Sequence, residues 1–530
     1  MPETTNNDPY APYRSADPFD PHMVPEPVLD AHPTWIDLYY AAWESAWRHV
    51  VLRPDMPQPR YLDEALMPHR IWIWDTCFMA LYARYAADAF PGIESLDNFY
   101  HILYGDRNGG ATIHFSDNPP LFAWVEELCD DVVPNDARLR WILDDGAFLQ
   151  RHFEYMEAGP EAIGTQQPHT LVARTAARHE AGYLWRGNTS GMDNTPRGRT
   201  ACNDDAANPI GQIQESPGIY WLDLLAQQSL AAGSIAQLAD RLGRDALADR
   251  FRQLQRAKNT LLGRYYWNED DGIHYDILAL APEELDRRLA ANEDIHCRVP
   301  TIASYWPLLA GACSSQQAAS LAAKASDPVW FGGEIPYPTL ARRDAEYRPG
   351  GRYWRGGVWL PTAYMATKAL ERHGYGALAD ANAERLIAMM VDTYHNCEPH
   401  TIWEAYAPSH PAPATHKNDH GTVRTDFCGW SALGPIALLI ENVLGFRRVS
   451  GRERLLEWHI HRRDRHGIRA LRFGDVQASL IHDEGHITVE SNGDFTLRVL
   501  GRGVAQVEHA IAPGTTLITA PDTSRQETRS

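Results

Sequence analysis

The sequence predicts a mainly helical protein, built as a helical toroid or solenoid, followed by a small all-β domain. Three observations predict it. Apolar residues recur at steps of three to four along most of the chain before residue 446. The loops between those stretches carry Gly and Pro, as in "FSDNPP", "GGEIPYP" and "RPGGRYWRGG". From about residue 446 the pattern changes to short, partly alternating segments divided by Gly, Asp and Asn.

In chain order, residues 1–28 read as an extended arm, with seven prolines and no apolar run. Residues 34–51 place Trp35, Leu38, Ala42, Trp43 and Trp47 on one helical face. Similar spacing predicts helices over 76–90, 218–243, 246–266, 314–326, 358–373, 376–394 and 430–445. No fixed-period repeat runs through them, which argues against a tandem helical array. The expected division is a helical domain over 29–447, a β domain over 448–520 and a disordered tail over 521–530. The β domain either packs against the helices or serves in dimerisation. The acid-rich "WNEDDGIHYD" (267–276) invites a calcium reading, but its spacing does not match an EF-hand loop. A hairpin turn at Asp271-Gly272 is the expectation.

Composition excludes several function classes. Forty-nine basic and 69 acidic side chains leave a net charge of −20, which argues against nucleic acid and against anionic membrane surfaces. The seven cysteines include no C-x-x-C pair, so no zinc site is expected, and the thiols are expected to be reduced. The N-terminal stretch has no signal-peptide core and no run is long enough to span a membrane, so the expected location is the cytoplasm.

The chain has 17 Trp and 23 Tyr, and many lie beside Gly, Asp and Arg: "RIWIWDTC", "RYWRGGVW", "TIWEAY", "FCGWS". Aromatic faces bordered by hydrogen-bonding groups suit sugar rings, although any single Trp is more often core. Two acids stand apart. Asp193 lies in the irregular, polar "GNTSGMDNTPRGRT", and Glu404 lies between Trp403 and Tyr406. An acid among aromatics loses solvation and keeps its proton longer, whereas one in a polar loop tends to stay ionised. Two carboxyls in contrasting settings divide acid and base work. The residues alone leave two readings open: this catalytic pair, or a helix-capping Asp193 with Glu404 paired to an arginine.

"SGMDNTPR" (190–197), "YWRGGVWLPTAY" (353–364), "WEAYAP" (403–408) and "DFCGWSALGPI" (426–436), with "WDTCFMA" (74–80) and "NPPLFAWV" (118–125), resemble the motifs of glycoside hydrolase family 63. That family includes glucosylglycerate and mannosylglycerate hydrolases, with family 37 trehalases more distant. The matches run in family order over roughly residues 68–445. The resemblance implies an (α/α)6 barrel with the sugar site at one end, and hydrolysis of an α-glycosidic bond with inversion. It implies Asp193 as general acid and Glu404 as general base. It also implies a substrate site formed by Trp74, Asp75, Asn194, Arg197, Tyr353, Trp354, Arg355, Trp359, Tyr406 and Trp430, with Asn194 and Arg197 orienting the acid or binding hydroxyls, and Tyr406 and Trp430 at the rim. No cofactor is required. Thr189, Gly198 and Arg199 depart from the common pattern, and the loop 409–425 matches no subfamily. These departures bear on the substrate rather than on the acids.

The expected function is therefore an inverting α-glycosidase acting on a small intracellular glycoside, an α-glucoside first, with no nucleic-acid or membrane partner; a homo-oligomer is compatible with the sequence. Two alternatives remain: a sugar epimerase or isomerase using histidine as acid and base, and a non-catalytic sugar-binding protein. His69, His114, His410, His416 and His420 are expected to be solvated loop residues rather than catalysts.

Overall fold

The computed structural model describes residues 10–15, 17–64, 67–105, 109–197, 218–417, 420–501 and 506–520. Gly198, Arg199 and the tail 521–530 lie outside the described residues. The helical body contains α1 (Pro33–Arg48), α2 (Ile73–Ala83), α3 (Phe122–Val132), α4 (Leu222–Arg241), α5 (Asp245–Leu261), α6 (Leu360–Arg372) and α7 (Gly376–Asn396), with further helices such as Ser315–Ser326 between them. The segment predicted as the last helix, 430–445, is a wider π-type coil over Gly434–Val443.

Composition sorts these helices into an inner and an outer set. Every residue of α2 and of Gly434–Val443 is buried, and α4 is buried over nearly its whole length. Helices apolar on all sides must be surrounded by protein. The outer α5 buries only Ala248, Phe251 and Lys258, along one stripe. The inner segments touch in sequence: α2 on α3, α3 on α4, α4 on Trp306–Leu309, that piece on α6, α6 on Gly434–Val443, and the last back on α2. α5 lies against α4, and α7 against α6 and Gly434–Val443.

The predicted motifs gather where the inner helices begin. Trp74 and Asp75 are in the first turn of α2, Trp359 caps the start of α6, and Trp430 precedes Gly434–Val443. At the other end Glu441 accepts from Arg84 (2.7 Å) and Tyr85 (2.8 Å) and pairs with Lys368 (2.6 Å), joining three inner elements. These cations hold Glu441 down at about 2 although burial alone would raise it.

Residues 446–520 form two sheets. Strands are β1 (Glu26–Leu29), β2 (Phe446–Ser450), β3 (Leu455–Ile460), β4 (His466–Phe473), β5 (Val476–Asp483), β6 (His486–Ser491), β7 (Phe495–Gly501), β8 (Val507–Ile511) and β9 (Gly514–Thr519). One sheet runs β1-β4-β5-β6-β9 and the other β2-β3-β7-β8, with β3 and β7 parallel. Alternate residues of β5 and β7 face inward, as a half-buried strand requires. The end of the Pro-rich arm is not free: β1 pairs antiparallel with β4 along Glu26–Leu29. The β domain packs on the helical body, where Gly451 N–H donates to the Asp131 carbonyl (2.8 Å) and Arg452 donates to Asp130 (2.8 Å). "WNEDDGIHYD" forms the expected hairpin: Trp267–Asn268 pairs with Ile273–His274, and Gly272 takes a φ of 59°.

Candidate active site

Asp193 sits on a loop whose shape depends on its neighbours. Gly191 has a φ of +83°, and a Cβ there would run into the indole of Trp74. Glycine is what lets "SGMDN" lie flat on α2. Asn194 then ties the loop to the next motif: its Oδ1 accepts from Trp354 N–H (2.9 Å) and its Nδ2 donates to the Arg352 carbonyl (3.0 Å). Behind them Arg197 is fully buried. It donates to Asp223 (2.6 Å) and Asp276 (2.5 Å) and lies 4.2 Å over the Trp221 ring. Asn194 and Arg197 are thus engaged with protein as anchors of the acid's loop. Arg355 is similarly committed, to Glu346 (2.5 Å) and to the Asn194 carbonyl (3.3 Å).

Glu404 is buried to 3% exposure. Its Oε1 accepts the Tyr353 hydroxyl (3.0 Å) and its Oε2 accepts Arg424 N–H (3.2 Å). Its own carbonyl accepts Trp430 Nε1 (3.0 Å) and Ser431 Oγ (3.2 Å). Tyr353 and the preceding Arg352 hold φ values of 64° and 36°. Non-glycine residues adopt that left-handed region only under tertiary constraint, and such residues cluster at functional sites.

The aromatic residues form one continuous group. Trp74 lies 5.9 Å from Trp354 and 5.6 Å from Trp430; Trp354 stacks on Trp359 at 4.1 Å; Tyr353 meets Trp359 edge-on at 4.7 Å. Tyr406 and Trp430, expected at the rim, are buried at 1% and 5% exposure. Tyr406 is a strut, paired with Val358 through both backbone groups and accepting Trp403 N–H on its hydroxyl (3.2 Å).

Electrostatics join three acids. Burial raises Asp193 to about 6; Lys417, 3.4 Å away, opposes this and Glu404 adds to it. An acid in a polar loop is expected to titrate as an ordinary carboxylate; here Asp193, partly buried, titrates higher. Burial also raises Glu404, against the pull of Arg424 and Tyr353. Asp75 is raised well above the carboxylate range by burial, with Glu404 and Asp193 contributing. Asp193 feels Glu404, Asp75 feels both Glu404 and Asp193, and Tyr353 likewise feels both Glu404 and Asp193. Sequence reasoning missed two residues. Lys417 is the single lysine of a Pro- and His-rich loop, a visible signal without a visible partner. Glu64, buried to 1% beside Asp63 and Asp75, is raised well above the carboxylate range by burial, and nothing in "YLDEAL" sets it apart. Of the histidines set aside, His114 stacks on Trp72 at 5.0 Å, and burial lowers it to about 4. No cluster of three metal-binding side chains occurs among the described residues.

The helical body thus brings two carboxyls among a group of tryptophans. Comparison with known proteins identifies the family. The model of the mannosylglycerate hydrolase MGH1-like glycoside hydrolase domain matches residues 112–422. The chain belongs to that glycoside hydrolase family, within the wider family 63 resemblance seen in the motifs. An uncharacterized protein of Borreliella burgdorferi is 23% identical over 448 residues, 80% of this chain and 84% of its own. The mannosyl-oligosaccharide glucosidase of Saccharomyces cerevisiae is 24% identical over 278 residues, half of this chain but 30% of the yeast enzyme. Among solved structures, the GH63 mannosylglycerate hydrolase of Thermus thermophilus in complex with glucose shares the fold, with a TM-score of 0.54 at 18% identity, over 76% of this chain and 99% of that one.

Proposed function

We propose that the protein hydrolyses the α-glycosidic bond of a small glycoside, an α-glucoside or α-mannoside, with inversion, and that the ring of six inner segments is an (α/α)6 barrel with its sugar site at the helix N-terminal end. The observation that carries the reading is the difference in the partners of the two acids, since burial raises both. Glu404 receives two hydrogen bonds, from a tyrosine hydroxyl and a backbone N–H, and both favour its ionised form. Asp193 is held near 6 and so retains a proton around neutrality far more often than an ordinary aspartate. Asp193 is then the acid that protonates the leaving oxygen. Glu404 is the base that takes a proton from water on the opposite face of the sugar. An inverting pair stands about 6.5–9.5 Å apart, leaving space for that water. Trp74 supplies an apolar face for the sugar's C–H groups, backed by the buried Trp354–Trp359 stack, and Asp75 supplies an acceptor for its hydroxyls. The partial match to a glucosidase and the family's description support the two sugars; the small substrate and the cytoplasm belong to the same proposal.

The test is substitution. Asp193→Asn and Glu404→Gln each lower kcat by about 10²–10⁴-fold, the worth of one general acid or base, without loss of fold by circular dichroism. Near-normal turnover in either variant contradicts the assignment.

A further inference from the structure

The ring of inner helices has a second hollow, at the end away from the acids. It holds about 400 Å³ between α3, α4 and α6, and side chains of β2 and β3 complete its wall. Trp124 and Tyr364, both buried, line it with their rings 6.5 Å apart. Trp124 meets Phe78 edge-on at 6.4 Å, and Phe78 meets Trp74 edge-on at 5.7 Å. Packed rings therefore lie between this hollow and the sugar site.

Five cations and five acids line the hollow, so its formal charge cancels while the chain carries −20. Eight of the ten are ion-paired: Arg84 and Lys368 with Glu441 (2.7 and 2.6 Å), Lys368 and Arg447 with Glu371, Arg448 with Asp131 (3.6 Å), and Glu457 with Arg498 (3.1 Å). One group of each sign is left. Arg372 donates to the Leu309 carbonyl (2.7 Å), and among the described residues no carboxylate stands within ion-pair distance of it. Glu127 likewise has no cation at that distance; burial raises it, with Ser234, Arg241 and Arg372 opposing. Arg84 is 8% exposed, and its Nε and Nη1 have no hydrogen-bond partner. Buried donors are normally satisfied, so this wall is short of acceptors.

We infer that the basal hollow is a binding site for a small zwitterion, an aliphatic amino acid, whose carboxylate meets Arg372 and whose ammonium meets Glu127 beside Trp124. A ligand of no net charge keeps the balance of the lining. One that bears both signs pairs both leftover groups at once, whereas an anion or a cation alone leaves one of them unmatched. A carboxylate also brings acceptors to a wall that lacks them, and an ammonium near an indole face gains cation–π attraction. The volume is that of a small-molecule site. The site is independent of the reaction proposed above, because the ring stack from Trp124 to Trp74 lies between the two hollows.

The experiment is calorimetric titration of the full chain with 2-aminobutyrate, 4-aminobutyrate and 6-aminohexanoate, which set the two charges at increasing separation. Butyrate and butylamine, each carrying one of the two charges, are the comparison. One of the three zwitterions is expected to bind at least about 10-fold tighter than either. Arg372→Met and Glu127→Gln are each expected to weaken that binding by about 10–100-fold, the worth of one hydrogen bond to a charged group. Arg372→Lys keeps the charge and is expected to restore most of it. Asp193→Asn is expected to bind as wild type does. The inference is overturned by a wild-type protein with no preference for a zwitterion, by unchanged binding in both Arg372→Met and Glu127→Gln, or by loss of binding in Asp193→Asn, which would put the ligand among the acids. Turnover of Asp193→Asn bears only on the acid assignment.

Discussion

Glu404 is almost wholly buried and Asp193 partly so, and their hydrogen bonds separate them. Glu404 is tied by the Tyr353 hydroxyl, so Tyr353→Phe removes a donor that favours the ionised base. The carboxyl of Glu404 then rises, more alkaline solution is needed to ionise it, and the acidic limb of kcat/KM shifts to higher pH. The wild-type profile is expected to be a bell: activity falls as pH drops through Glu404, which must be ionised, and falls as pH rises through Asp193, near 6, which must be protonated. A pH series on wild type and Tyr353→Phe checks both statements, and an unmoved acidic limb counts against the role given to Tyr353. At this scale the sequence was informative about residue identity and silent about partners. Asp193 stood out because a lone acid in an irregular loop is unusual. Lys417 lies 224 positions away, and only the fold brings it to Asp193.

Elements decide what a residue is free to do. Arg197 and Asn194 read equally as groups that orient the acid and as sugar ligands when only their motif is visible. The start of α4 brings Asp223 to Arg197, and the strand Asp276–Leu278 brings Asp276, so its charge is used inside the protein. Removing it leaves two buried carboxylates uncompensated. Arg197→Met is therefore expected to cost about 3–5 kcal/mol, read as a marked fall in the thermal midpoint, with Asp193's loop losing its anchor. A variant as stable as wild type contradicts that role. Gly191→Ala acts at the other face of the same loop: a methyl group meets Trp74 and the backbone is strained at once, so turnover falls while the rest of the fold stays intact. The inner helices were legible because uniformly apolar segments must be enclosed, as α2 and Gly434–Val443 are. The wide coil of the latter was not, since periodicity does not distinguish π from α over ten residues. Tyr406 was misplaced at the rim because a lone aromatic beside an acid looks the same whether it faces a ligand or a neighbouring backbone.

For the whole molecule, the ring joins a loop-built site at one end to an ion-paired base at the other. Glu441 fastens that base by binding cations from the turn after α2 and from α6. Its folded value near 2 lies below that of an unfolded glutamate, so its stabilisation is fully present above about 4.3 and is lost as pH falls toward 2. Glu441→Gln is expected to lower the thermal midpoint at pH 7 and to flatten its decline in acid; equal declines in both proteins contradict this. The β domain closes over the same body through Arg452 and Asp130, and β1 returns from the arm to cover an edge of its sheet. The change from helices to strands near 446 was plain in the sequence. The pairing of β1 was not, because a four-residue extended stretch does not show which edge it meets.

The central claim is that two acids, distant along the chain, attack one bond from opposite faces with a water between them. The most direct test is proton NMR of the first turnovers on an α-glycoside, before mutarotation. The account predicts that the β-anomer of the free sugar appears first and the α-anomer grows in later. Initial release of the α-anomer would contradict it.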